Sequence, residues 1–246
     1  MIIGRPSRLS RREFITLAAM TAGALGVARA GALSAAPRPA SPGPATTSLS
    51  AADVLKQVLE GNARFARGEP LNPRRGPEDY RAVEEGQNPA AVILGCADSR
   101  VPPELIFDVG VGDLFVIRVA GNVVTGAGAA IKGSAEYAVA ELNVPLIMVL
   151  GHSGCGAVKA ALKHIADKDS LPGALNELVD LVKPAVRRSR GQPGDPLDNA
   201  IRANVKLGVE RLKSLKPILS PRIKQGRLKV VGGVYDLRTG VVTLVG

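Results

Sequence analysis

From residue 50 onward the chain alternates between short, wholly apolar runs and longer stretches in which apolar residues recur every third or fourth position. The first pattern fits buried strands, and the second fits helices with one face on a core. Ser50-Ala51-Ala52-Asp53 opens like a capping box, with Asp in place of Glu or Gln. Val54, Leu55, Val58 and Leu59 follow at helical spacing, and Gly61 is the expected stop. Pro70, Pro73, Pro77 and Pro89 make residues 66–89 loop-rich. Strands are predicted over 91–95, 114–119 and 144–150, and helices over 127–142, 156–165, 173–188 and 197–214. A closing strand pair is predicted over 226–237 and 240–245, around Arg238-Thr239-Gly240. Apolar strands interleaved with helices predict an α/β fold: a central, mainly parallel β-sheet flanked by helices. In such sheets ligands bind beyond the carboxyl ends of the strands.

The first 47 residues follow a different pattern. A basic zone (Arg5, Arg8, Arg11, Arg12) precedes an apolar zone of 15 residues, 14–28, softened by Thr16, Thr21, Gly23 and Gly26. That zone is shorter than the ~20 residues a membrane helix needs, so no stable membrane insertion is expected. Small residues follow, with Ala30, Ala32 and Ala36 as alternative cleavage points. Ser10-Arg11-Arg12-Glu13-Phe14-Ile15 resembles the twin-arginine export signal. The expected organisation is a twin-arginine (Tat) signal peptide over 1–36, a Pro/Ala/Ser-rich linker over 37–47 and a catalytic domain over 48–246. It implies the Tat export machinery as a partner and a periplasmic or extracellular destination.

Charge looks different once the leader is set aside. The chain has 32 Lys and Arg against 22 Asp and Glu, a net +10. Residues 1–40 supply six arginines and one acid, leaving 26 basic and 21 acidic residues for the body. The body is only mildly basic. Aromatic residues are 3% of the chain, and no basic stripe is interleaved with stacking rings, so no nucleic-acid partner is expected. The run Arg187-Arg188-Ser189-Arg190 reads as a solvated helix end. Two cysteines exclude a disulfide-dense scaffold.

Both cysteines and one of the two histidines lie just past predicted strands, in Gly95-Cys96-Ala97-Asp98-Ser99-Arg100 and Gly151-His152-Ser153-Gly154-Cys155-Gly156. Two thiolates and an imidazole suit Zn²⁺, and a Cys₂His set leaves the fourth position open, the arrangement of catalytic sites. Two buried free cysteines, or a Cys96–Cys155 disulfide, are the competing readings. Alternation along an extended segment would put Cys96, Asp98 and Arg100 on one side. There Asp98 could orient a bound water while Arg100 holds its carboxylate, or Asp98 could itself be a fourth ligand that closes the site.

These segments, with Gly112-Asp113-Leu114-Phe115, Ala120-Gly121-Asn122 and Glu136-Tyr137-Ala138, resemble the β-class carbonic anhydrases over roughly residues 51–245. The family usually has Ser where this chain has Ala97. The resemblance implies Cys96, His152 and Cys155 as ligands of one Zn²⁺ per subunit, and Asp98 with Arg100 as the catalytic pair. It implies attack of zinc-bound hydroxide on CO₂, giving bicarbonate and a proton. Thiolate ligands donate charge, so activity favouring alkaline pH is expected. By the same matching, Gln87, Phe115, Ala120 and Tyr137 line the substrate pocket. In the family such pockets form across a homodimer, or a higher even oligomer, so Gln87 and Tyr137 would serve the partner's zinc. The allosteric subtype carries Trp where this chain has Ile93; with Gln87 present, the open subtype is expected.

Other readings are weaker. Gly151-His152-Ser153-Gly154-Cys155 lacks the final Gly of a nucleophile elbow. Gly126-Ala127-Gly128 lacks the third Gly of a dinucleotide loop. His164 is either a proton shuttle or an ordinary helix residue. Hydrolysis of a related heterocumulene (COS or CS₂), or non-catalytic zinc or bicarbonate binding, stays open on sequence alone.

Overall fold

A computed structural model describes residues 49–246 except 125 and 127. The expected signal peptide and linker fall outside the described residues.

Among the described residues, five strands form one sheet in the order β2-β1-β3-β4-β5. They are β1 (Ala91–Gly95), β2 (Leu114–Arg118), β3 (Leu146–His152), β4 (Lys229–Tyr235) and β5 (Val242–Val245). The first four run parallel, and β5 returns antiparallel to β4. The helices are α1 (Ala51–Ala66), α2 (Pro77–Arg81), α3 (Pro103–Ile106), α4 (Gly128–Ala140), α5 (Gly156–Asp167), α6 (Ala174–Arg188), α7 (Pro196–Ser214) and α8 (Leu219–Lys224), with a 3₁₀ turn at Ala120–Asn122. No described helix is long and apolar enough to cross a membrane.

Every residue of β1 and β3 is buried, because helices cover both faces of the sheet. Ile93 and Met148 point into one core with Val54, Val58, Val158 and Val182. Val92, Leu94, Ile147 and Val149 point into the other with Ala135, Ala138, Val205 and Leu212. The continuous apolar runs in the sequence are therefore the signature of central parallel strands.

Two differences from the sequence reading have physical causes. Helix α1 does not stop at Gly61 but continues to Ala66. A Cβ on Gly61 would lie 1.9 Å from the Phe107 carbonyl oxygen, so this glycine permits a close crossing, and the positive-φ Gly68 (75°) follows the helix end. Strand β3 is shifted two residues toward the C-terminus, reaching His152, where His152 pairs with Tyr235 of β4. The ladder there depends on Gly151, whose Cβ would meet a methyl of Val205 on α7 at 2.7 Å.

Candidate metal centre

Parallel pairing of β1 with β3 puts Gly95 beside Leu150, so the segments after them emerge side by side. Cys96 follows β1, His152 ends β3, and Cys155 caps the N-terminus of α5. One ligand atom from each of the three lies within 4.8 Å of the others, and all three residues are buried. Tetrahedral ligands at ordinary zinc distances stand roughly 3.5–3.8 Å apart, so the group is the right size for one ion.

The chemistry of the donors fits a cation as well as the spacing does. His152 Nδ1 faces the Ser153 carbonyl oxygen at 3.0 Å. A carbonyl only accepts, so Nδ1 carries the proton and Nε2 keeps its lone pair. Nε2 is buried and has no hydrogen-bond partner among the described residues, a cost that a metal bond removes. Both cysteines are free rather than joined. The Cys155 thiol, donating to Cys96, holds the Cys96 pKa below the usual thiol range. The same contact, with burial, pushes the Cys155 pKa above that range. Two adjacent thiolates repel unless a cation lies between them. The N–H groups of Ala157 and Val158 in the first turn of α5 act in the opposite sense and favour a Cys155 thiolate.

A surrounding set of hydrogen bonds fixes the Cys96 loop. The Gly121 N–H points at Cys96 Sγ, 3.3 Å away. Gly121 has φ +72°, and a Cβ there would sit 3.1 Å from Ala157 Cβ, so both its backbone and its packing favour glycine. Its carbonyl accepts from Asn204 Nδ2 of α7 at 2.8 Å. Arg118, the last residue of β2, donates to the carbonyls of Cys96 (2.9 Å) and Asp98 (2.5 Å). Neither Asn204 nor Arg118 received a role from the sequence. Asn204 does carry a signal, as the polar residue on the buried stripe Ala200, Ile201, Val205, Gly208 and Leu212. Arg118 carries none in the sequence; only the register that sets it beside Gly95 reveals its place.

Asp98 and Arg100 are paired, though not by strand alternation. The chain turns after Asp98, and Val101 N–H donates to the Asp98 carbonyl. The turn brings Arg100 N–H (3.0 Å) and Nε (2.9 Å) to Asp98 Oδ1, and Arg100 Nη2 (2.7 Å) to Oδ2. These Arg100 bonds hold the Asp98 pKa well below the carboxylate range, against the opposing effect of burial. Asp98 Oδ2 lies 3.8 Å from His152 Nε2, so the carboxylate borders the ligand group while remaining tied to Arg100.

The other expected site residues lie elsewhere in the chain. Ala120 opens the 3₁₀ turn and adjoins Gly121, close to Cys96. Phe115 and Tyr137 pair as tilted rings, centroids 6.2 Å apart and planes at 36°. Phe115 is in register with Val92, and Cys96 lies four residues further along, about 13 Å at strand rise. Gln87 is exposed in the loop before β1, with the whole strand between it and Cys96. Within one chain these three residues do not join the metal group. His164 Nδ1 contacts Asp169 Oδ1 at 2.6 Å, about two and a half turns along α5 from Cys155.

The fold and the site define a parallel α/β protein with a Cys₂His metal centre at its strand ends, and comparison with known proteins gives the family. The family model for carbonic anhydrase matches residues 91–242. "Carbonic anhydrase 2" of Mycobacterium tuberculosis is 43% identical over 189 residues, covering 77% of this chain and 90% of that protein. Among solved structures, the β-carbonic anhydrase CcaA superposes with TM-score 0.62 at 30% identity, covering 77% of this chain and 94% of that one. A tetrameric β-carbonic anhydrase of Sordaria macrospora gives TM-score 0.62 at 26% identity, covering 79% and 98%. The chain belongs to the carbonic anhydrase family, and its structural neighbours put it in the β class.

Proposed function

We propose that this protein is a zinc carbonic anhydrase that interconverts CO₂ and bicarbonate. The observation that carries the reading is the buried Cys96–His152–Cys155 group with an unpartnered Nε2, in a chain of this family. Cys96, His152 and Cys155 would hold the ion. When bound, zinc supplies Lewis acidity that makes water a nucleophile near neutral pH.

The chain's own residues do the rest. Asp98 Oδ2 borders the ligand group and, kept ionised by Arg100, accepts a hydrogen bond from the reacting water and so sets its orientation. Arg100 uses its backbone N–H and two guanidinium nitrogens on that one carboxylate, which restrains Asp98 from turning onto the metal. The reading is therefore an open site. The Ser153 carbonyl holds the His152 tautomer, and Gly121 N–H shares the charge on Cys96. Gln87, Phe115 and Tyr137 are remote from Cys96 within one chain, which supports a pocket completed by a second copy; the Sordaria macrospora relative is a tetramer. The N-terminal motif Ser10-Arg11-Arg12-Glu13-Phe14 supports export by the Tat route, with the leader removed after Ala30, Ala32 or Ala36 and the enzyme acting outside the cytoplasm.

Stopped-flow CO₂ hydration on the zinc-loaded protein, beside Cys155→Ser, tests the activity. Turnover in the parent and its loss with the metal in the variant are expected; equal rates would refute the assignment. Export is tested separately by Arg11→Lys with Arg12→Lys, which should retain the protein in the cytoplasm with its activity intact.

A further inference from the structure

Net charge in the body is concentrated in one stretch. Between Glu210 and Asp236 the sequence holds seven Lys and Arg and no Asp or Glu. The body has 26 basic and 21 acidic residues, so everything outside this stretch nets slightly negative, with 19 against 21. The mild basicity of the folded domain is therefore a local property.

The fold gathers this stretch at one pole. Lys213 lies in the last turn of α7, Lys216 follows that helix, Arg222 and Lys224 are in α8, and Arg227 precedes β4, which begins at Lys229. Arg227 N–H donates to the Arg222 carbonyl (2.9 Å), and Lys229 N–H donates to the Pro145 carbonyl just before β3 (2.9 Å). Arg222 reaches Asn143 in the same turn (3.4 Å). Lys213, Lys216, Lys224, Arg227 and Lys229 are all exposed, and none is in an ion pair among the described residues. Nearby carboxylates offset little. Glu210 is taken by Arg188 at 2.6 Å, and Glu141 follows α4 on the flank. Lys229 is in register with Leu146, at the opposite end of β3 from His152. Those six residues of strand put about 20 Å between the basic pole and the metal group.

We propose that this pole docks the enzyme on an anionic phospholipid surface. Clustered Lys and Arg gain energy beside anionic headgroups without inserting. Leu215, Ile218 and Ile223 alternate with the cations along the chain and pack on the core while staying half-exposed, and their exposed parts would add shallow apolar contact. A single-stranded nucleic-acid groove would instead expose stacking rings among its cations. The only aromatic residue of the stretch, Tyr235, is 5% exposed.

The test is co-sedimentation of the chain beginning at residue 37 with phosphatidylcholine vesicles, with and without phosphatidylglycerol. The sheet and both helical layers lie wholly within 49–246, so this form retains the folded domain. Binding is expected only to the phosphatidylglycerol vesicles, and it should be lost at high salt. Each basic residue near such a surface is worth about a five-fold factor in partitioning, so K213Q/K216Q/K224Q should weaken binding about a hundred-fold with CO₂ hydration unchanged. A control of equal charge loss that draws on the opposite end of β4, K56Q/R67Q/R238Q, should retain binding: Arg238 lies in the β4–β5 turn, and Ala66, next to Arg67, lies against Gly240 of that turn. Absence of binding to anionic vesicles overturns the proposal, as does equal loss in the two triple variants. Pole-dependent binding to a soluble polyanion such as heparin, with no vesicle binding, overturns the lipid assignment.

Discussion

Asn204→Leu separates the metal centre's outer support from its ligands. Asn204 is 5% exposed on α7, and its side-chain amide donates to the Gly121 carbonyl at 2.8 Å. The Gly121 peptide in turn presents its N–H to Cys96 Sγ at 3.3 Å. Leucine has nearly the shape of asparagine, so packing against Gly121 is retained while the donor is lost. Leaving a buried carbonyl unsatisfied costs about 1–3 kcal/mol of folding stability. Loss of an outer-shell partner typically lowers metal affinity by about 10–100-fold, because the Gly121 peptide is then free to tilt its N–H away from the thiolate. Zinc affinity would be read by competition with a coloured chelator, and stability by urea denaturation of the metal-free protein. Asn204→Gln, which keeps an amide donor, should recover part of the zinc affinity. A variant that loses stability yet holds zinc as tightly as the parent would refute the coupling of Asn204 to Cys96.

Three further outcomes follow from single contacts. Asp98→Asn should keep the zinc content of the parent but lower CO₂ hydration by about 100-fold, as for loss of the group that orients a reactant; an unchanged rate would remove Asp98 from the mechanism. Asn62→Leu should lower stability by about 3 kcal/mol, a fall in Tm of about 6–12 °C, because Asn62 bonds the Ile106 and Gly240 carbonyls (3.1 and 2.8 Å) and the Val242 N–H (2.7 Å); a shift of a degree would contradict this. Burial opposes ionisation of Asp108, but Leu71 N–H, Arg64 and Asn72 N–H outweigh it and hold its pKa below the ordinary value. Its contribution is therefore present above about pH 4 and lost as pH falls through the depressed folded value. Asp108→Asn should be less stable at neutral pH and show a shallower loss of urea midpoint on acidification; parallel pH profiles would refute the linkage.

Much of this was legible in the sequence, for physical reasons that differ by element. Strands β1 and β3 announce themselves because both faces are buried, leaving no polar alternation to confuse the pattern. The metal group was readable because chemistry-bearing residues follow those strands, and parallel neighbours deliver them to one edge. Gly61 misled because a close helix crossing and a helix stop both call for glycine; only the approach of the Phe107 carbonyl distinguishes them. The Asp98–Arg100 pair was anticipated, but through the wrong geometry, since an Asp-initiated turn and an extended strand can both bring residues two apart together. Asn204 and Arg118 were missed as parts of the site because they come from α7 and β2, which meet the Cys96 loop only in three dimensions. Helices α2, α3 and α8, of five, four and six residues, are too short to leave a periodic signature.

The most direct measurement is zinc titration of the metal-free protein, with CO₂ hydration followed at each addition. Activity should rise in proportion to bound metal, saturate at one zinc per chain and be absent from Cys155→Ser throughout. A protein that binds one zinc per chain through these three residues yet stays inert from about pH 6.5 to 9, a range wide enough to span an acidic metal-bound water, would contradict the carbonic anhydrase assignment at its centre.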